Sequence, residues 1–242
     1  MILNDKFVFI HNPRTGGAFI KTMFKEILPI EEFKPLEEYH LPVSSVPKSH
    51  KDKMKFGMVR NPWAWYVSLY HFQQPNGKWL RLTKAKTFQG FVKTFLSDEF
   101  IQENRAKRFY PVGNPNLPPT VPKFEYMDNL DIGFFTYRYI YMFFNDYKEI
   151  FAGNKNIWTD HDELISLDSV LKTEELPHNI IRLLDNNGIV LSSKNRADFC
   201  RQPKKNYTHH KPYQHYYDDE LAELVGKKDR LIVEKYGYIF GH

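Results

Sequence analysis

Phe9-Ile10-His11-Asn12-Pro13-Arg14-Thr15-Gly16-Gly17-Ala18-Phe19 is the stretch on which the fold turns. It opens in a short β-rich run, residues 6–10 (KFVFI), which Asn12-Pro13 and Gly16-Gly17 end abruptly. It closes in a second pattern: Phe19, Ile20, Met23, Phe24, Ile27 and Leu28 recur at helical spacing and predict an amphipathic helix stopped by Pro29. A loop between a strand and a helix N-terminus presents free backbone N–H groups and the positive end of the helix dipole. Adjacent glycines let an anion approach that backbone. Arg14 adds a fixed charge and a planar fork suited to phosphate or sulfate oxygens. The same residues also satisfy a plain tight turn that needs glycine for its backbone alone. A Walker A loop is excluded, because its four-residue spacer and Gly-Lys-Ser/Thr ending are missing.

The pattern repeats downstream. Residues 55–59 (KFGMV) read as a second buried strand, Arg60 leaves its end, and Asn61-Pro62 forms an N-cap followed by proline at the first helical position. Trp63, Tyr66, Val67 and Tyr70 then mark one face of a helix running to about Phe72. Ser68 lies about two turns into that helix, within reach of an arginine at the strand end, where ligands of α/β folds bind. Arg60 and Ser68 thus offer a charged fork and a hydroxyl to a second phosphate.

Further along, residues 132–150 predict one aromatic helix. Residues 157–158 and 163–166 read as short strands, and 177–187 as a helix before Gly188. Residues 194–211 are basic and irregular, and 218–236 form a last helix with an acidic first turn. Residues 112–122 hold four prolines and read as a loop or lid. Strands alternating with helices predict an α/β domain around a mostly parallel sheet.

Composition is consistent with this. The 242 residues suit one domain, taken as 1–242, with 42% apolar, 26% charged and 16% aromatic residues, which excludes a disordered chain. The formal charge of +5 suits an anionic partner without naming it. The one cysteine, Cys200, excludes an intramolecular disulfide framework and a multi-cysteine zinc site. No secretory signal or membrane-length apolar run is visible, so a soluble, cytoplasmic protein is expected. Lysine-, phenylalanine- and asparagine-rich usage suits an AT-rich microbial or viral genome. Basic residues are scattered and no nucleic-acid motif appears, so no nucleic-acid partner is expected.

The residues 11–17 resemble the 5′-phosphosulfate loop of sulfotransferases that use 3′-phosphoadenosine-5′-phosphosulfate (PAPS). That loop is usually Pro-Lys-Thr-Gly-Gly followed by Thr or Ser. Here Arg14 stands in place of the lysine, and Ala18-Phe19 in place of the hydroxyl pair. Arginine keeps the charge but donates no proton at ordinary pH. The stretch 56–70 resembles the family's 3′-phosphate motif, a strand ending in Val-Arg-Asn-Pro-Trp and a helix carrying Val-Ser-Leu-Tyr. The resemblance, closest to the carbohydrate-type and prokaryotic or viral branch, implies a P-loop-like three-layer sandwich. It also implies Arg14, Thr15, Gly16, Gly17 and Ala18 around the 5′-phosphosulfate, and Arg60 and Ser68 at the 3′-phosphate.

Sulfuryl transfer also needs a base for the acceptor's proton. His40 and His50 lie between the two motifs, with Glu37 and Glu38 as carboxylate alternatives. His40-Leu41-Pro42 resembles the family's base-bearing His-Leu-Pro segment, which makes His40, with Arg14, the implied catalytic pair. No metal is expected, because cationic side chains and backbone amides take the charge. Residues 171–176 resemble a structural Arg-x-Glu-x-Leu segment. Asn206, with Lys204 and Lys205, resembles a cofactor-side stretch of the tail.

The resemblance is weakest over 76–128, expected to be an acceptor-side insertion or lid. There Trp79, Arg81, Lys84, Lys86, Arg105, Lys107 and Arg108 either line an acceptor groove or form a charged surface. The acceptor, a small molecule or a carbohydrate, and the oligomeric state are left open. The rival readings are a non-catalytic module of the same fold, binding a nucleotide or anionic glycan, and a phosphoryl transferase.

Overall fold

Both expected strand–loop–helix units form, and their strands lie side by side. The computed structural model describes residues 1–27, 31–32, 40–74, 77–104, 127, 129–201 and 210–242. Strands β1 (Ile2–Leu3), β2 (Phe7–Ile10), β3 (Glu31–Glu32), β4 (Met54–Val59) and β5 (Ser169–Lys172) make a sheet in the order β3-β1-β2-β4-β5. β2, β4 and β5 run parallel, while β1 is antiparallel to both its neighbours.

Two helices follow the two loops, α1 (Gly17–Ile27) and α2 (Pro62–Gln73). Then come α3 (Lys78–Thr83), α4 (Phe88–Phe95), α5 (Asp98–Asn104), α6 (Phe134–Phe143) and α7 (Tyr147–Phe151). The remaining helices are α8 (His161–Leu164), α9 (His178–Asn186), α10 (Ser193–Arg201), α11 (Asp219–Lys228) and α12 (Arg230–Tyr236).

The period of two along the strands sorts side chains onto two cores. Phe7, Phe9, Phe56 and Met58 pack with Ile20, Met23 and Phe24 of α1, Ile180 and Leu184 of α9, and Phe199 of α10. Val8, Ile10 and Val59 face the other way, onto Trp65, Tyr66 and Leu69 of α2 and the aromatic helix α6. The sheet is therefore covered on both faces, an α/β three-layer sandwich, which is why its central strands are apolar at nearly every position. Each fully buried phenylalanine stabilises the fold by about 2 to 3 kcal/mol relative to an exposed one. Gly57 lets α6 lie on the sheet: a Cβ there would come within 2.5 Å of the Phe143 ring.

Four expectations are corrected. Residues 157–158 and 163–166 are not strands: Ile157 is buried from a turn, 161–164 is α8, and the edge strand is β5. The helix expected over 132–150 breaks at Phe144, whose backbone is extended (φ −120, ψ 127). The last helix breaks at Asp229, because its carboxylate turns inward. It is fully buried and accepts from the Tyr66 hydroxyl at 2.9 Å and from the Thr136 N–H and hydroxyl, each at 2.8 Å. Residues 194–201, within the stretch 194–211 expected to be irregular, belong to α10, which Phe199 anchors in the core and a bidentate Arg196–Asp185 pair ties to α9.

Trp79 packs against Phe95 and Phe134 in the core, while Arg81, Lys84 and Lys86 are exposed. The proline-rich stretch 112–122, Glu37, Glu38, Arg105, Lys107, Arg108, Lys204, Lys205 and Asn206 lie outside the described residues. No described helix is long and apolar enough to cross a membrane.

Candidate functional site

The site lies at the carboxyl ends of β2 and β4, where both loops emerge. The first loop is held from several sides. The Thr15 hydroxyl donates to the Asn12 carbonyl at 2.6 Å, and the Trp65 indole N–H reaches from α2 to the Pro13 carbonyl at 2.9 Å. Arg14 and Gly16 both have left-handed backbones, φ +66 and +85. That conformation is costless at glycine and strained at arginine, and such strain concentrates at functional sites. Gly17, the first residue of α1, lies directly under His11. A Cβ there would fall 1.8 Å from the imidazole, so the absence of a side chain is what admits the ring.

Arg14, Arg60 and Ser68 come together. The Arg14 guanidinium donates to the Ser68 hydroxyl from Nε at 3.1 Å and from Nη2 at 2.8 Å. Its face covers the Phe72 ring at 4.3 Å, one turn further along α2. Arg60 Nη1 donates to the Arg14 carbonyl at 3.3 Å. Burial, and then the neighbouring Arg60 charge, lower the Arg14 pKa to about 10. An anion added to this cluster would be favoured by both charges. The arginine assigned by sequence to the first loop thus shares its hydroxyl partner with the second motif.

A strap from the third parallel strand braces both loops. At the end of β5 the Thr173 hydroxyl lies 2.7 Å from the Val59 carbonyl and 3.0 Å from the Thr15 carbonyl, so its single proton is shared between the two. Glu174 accepts from the Asn61 N–H at 2.8 Å and from the Tyr238 hydroxyl at 3.0 Å. Asn61 also caps α2, its side chain accepting from the Ala64 N–H at 3.1 Å. The segment 171–176, expected to be structural, supplies Thr173 and Glu174, which tie the two loops together; no motif of the first loop reveals that link.

His40 sits on the other side of the first loop. Its Nδ1 lies 3.4 Å from the His11 carbonyl, and the two imidazoles are 4.5 Å apart. A carbonyl only accepts, so Nδ1 carries the proton and Nε2 keeps the lone pair. Burial, and then the Arg138 charge, lower the His40 pKa to about 3. His11, 5% exposed, is likewise held neutral by burial and by His40. His50 lies instead in the 3-10 turn Lys48–His50, its Nδ1 2.9 Å from the Ser49 hydroxyl. Ala18 is half-buried in the first turn of α1, and its carbonyl accepts from the Thr22 hydroxyl at 3.1 Å.

Two residues that act on His40 carry no motif of their own in the sequence: His11 lies inside the pattern of the first loop, and Arg138 lies in an aromatic run. The available signal for Arg138 was that it is the single charged residue between Ile132 and Phe144.

No protein-family model matches the chain, and no curated protein does. Among solved structures, the crystal structure of mouse sulfotransferase SULT7A1 complexed with PAP is similar to it. The match covers 96% of this chain and 83% of that one at 14% sequence identity, with a TM-score of 0.49.

Proposed function

We propose that the chain is a sulfotransferase that takes a sulfuryl group from PAPS and passes it to a hydroxyl or amine of a small-molecule or carbohydrate acceptor. The observation that carries the reading is the meeting of Arg14, Arg60 and Ser68, from two separate motifs, at the ends of two parallel strands. One anion at that cluster and another along the 14–17 backbone would match the 3′-phosphate and 5′-phosphosulfate of one nucleotide. The cradle suits such a group. Its glycines leave the backbone amides accessible, and its arginines crowd each other until an anion joins them.

In this reading Arg60 and Ser68 hold the 3′-phosphate, with Arg14 beside them. Thr15, Gly16, Gly17 and Ala18 present the start of α1 to the 5′-phosphosulfate. His40 accepts the acceptor's proton at Nε2 as the acceptor oxygen or nitrogen bonds to sulfur. The bond from sulfur to the bridging phosphate oxygen breaks, and its electron pair leaves with the phosphate, whose charge the loop amides and Arg14 neutralise. Arg14 supplies charge and no proton. Asn206 remains a proposed contact of the same nucleotide.

The test is calorimetric titration of the purified protein with adenosine 3′,5′-bisphosphate, without Mg²⁺ and beside ATP with Mg²⁺. Tight, metal-independent binding of the bisphosphate supports the reading; preference for ATP·Mg²⁺ sinks it in favour of phosphoryl transfer. Arg14 in the lysine position favours a second reading, a binding module of this fold without turnover. That module would bind the bisphosphate and yet transfer no labelled sulfate to any member of an acceptor panel.

A further inference from the structure

Arg138 is 6% exposed, yet among the described residues its Nε and Nη2 find no hydrogen-bond partner. The Phe134 ring it faces is distant, at 5.9 Å. An arginine desolvated without an acceptor is costly, and native structures rarely keep one without a use. Its position suggests the use. α6 packs against the 3-10 turn Val43–Ser45, which begins three residues after His40, and the Arg138 charge acts on both His40 and His11. Tyr141 and Tyr137 act on its charge, and among the described residues no carboxylate does.

We propose that Arg138 is an oxyanion-binding residue of the transfer site, holding a sulfate or carboxylate group beside His40. The proposal deepens the sulfotransferase reading and rests on it. It is separate from the cradle, because Arg14 and Arg60 of the two loops form their own cluster with Ser68 of α2, while Arg138 belongs to α6. The planar fork of arginine suits two oxygens of one oxyanion. Two sources have that chemistry: the sulfuryl group of the donor, or an acidic group on the acceptor. Either would offset the Arg138 charge, which adds to burial in keeping a proton off His40.

The experiment compares wild type with Arg138→Met and Arg138→Lys by calorimetry, titrating adenosine 3′,5′-bisphosphate, PAPS, and then sodium sulfate or acetate into bisphosphate-saturated protein. If the donor is the source, Arg138→Met weakens PAPS at least tenfold and the bisphosphate less than twofold. If the acceptor is the source, both nucleotides bind as before and the sulfate or acetate binding seen in wild type disappears. Arg138→Lys keeps charge without the fork and falls between, which preserves the test should the methionine variant not fold. Unchanged binding of all four probes in either variant overturns the proposal and leaves Arg138 a packing residue. Wild type that ignores the bisphosphate but loses sulfate or acetate affinity on mutation would instead overturn the sulfotransferase reading while leaving the oxyanion site standing.

Discussion

Arg14 and Ser68 are joined by two hydrogen bonds from one guanidinium, across 54 residues of sequence. The contact ties the two strand–loop–helix units together at their loops, since Arg14 belongs to the loop after β2 and Ser68 to the helix after β4. It also fixes which atoms of Arg14 face a ligand, because Nε and Nη2 already point at the hydroxyl.

Ser68→Ala should therefore weaken binding of adenosine 3′,5′-bisphosphate about tenfold, roughly 1.4 kcal/mol, by removing a hydroxyl and freeing Arg14 to swing. Ser68 is 3% exposed on a packed helix face, and alanine fits there, so the melting temperature should hold. Arg14→Ala should cost at least a hundredfold. Isothermal titration measures both; an Ser68→Ala affinity within twofold of wild type would mean that the hydroxyl only positions the arginine.

Thr173→Val tests the strap. Valine keeps the shape and removes the proton shared by the Val59 and Thr15 carbonyls, so the expected loss of stability is about 1 to 2 kcal/mol in urea unfolding. Thr173→Ser should restore it. Because one carbonyl lies in the loop after β2 and the other at the end of β4, where the second loop begins, bisphosphate affinity should, on the proposed function, fall with Thr173→Val and recover with serine. Loss of stability without loss of affinity would confine Thr173 to packing.

Gly17→Ala and Gly16→Ala separate two uses of glycine. At position 17 a methyl group collides with the His11 ring at 1.8 Å, so the ring must leave its place over α1 and disturb His40, 4.5 Å away. An overpacked change of this kind costs about 1 to 3 kcal/mol. At position 16 the added atom meets Leu176 at 3.2 Å, and the larger penalty is the left-handed backbone, about 1 kcal/mol. Gly17→Ala should lower transfer more than affinity, and Gly16→Ala the reverse; rate and affinity measured on both variants distinguish them.

Both strand–loop–helix units were legible in the sequence because their signals are local. KFVFI and KFGMV carry apolar runs, Asn61-Pro62 carries its own cap, and Gly16-Gly17 marks the turn. What was not legible depends on contacts across the chain. The helix break at Asp229 exists because Tyr66 and Thr136 donate to a buried carboxylate, and no window around residue 229 contains either partner. Likewise, α10 has one buried apolar residue, Phe199, and too weak a periodicity to be read as a helix before the core is known. The Arg14–Ser68 bond belongs to the same class: both residues were picked out, but for two different phosphates, and only the folded chain brings the first onto the second.

The buried histidines predict how stability responds to acid. His40 has its pKa lowered to about 3 by burial and Arg138, against about 6.5 in an unfolded chain. Between those values the unfolded chain binds a proton that the folded protein refuses, so stability falls as the pH is lowered from 7 toward 4. His11, shifted the same way by burial and His40, adds to the fall. Asp229 opposes it over part of the range. Burial raises its pKa to about 6, so between roughly 3.8 and 6 the folded protein holds the extra proton and gains as the pH drops. The histidines act from a higher pH and together outnumber the aspartate, so the net loss from pH 7 to 4 should be on the order of 2 kcal/mol. Urea midpoints across that range measure it. His40→Asn should remove a large part of the slope and Asp229→Asn should steepen it below pH 6. If His40→Asn leaves the slope as it was, the imidazole already takes up its proton in the folded protein, and its claim to be the waiting base is lost.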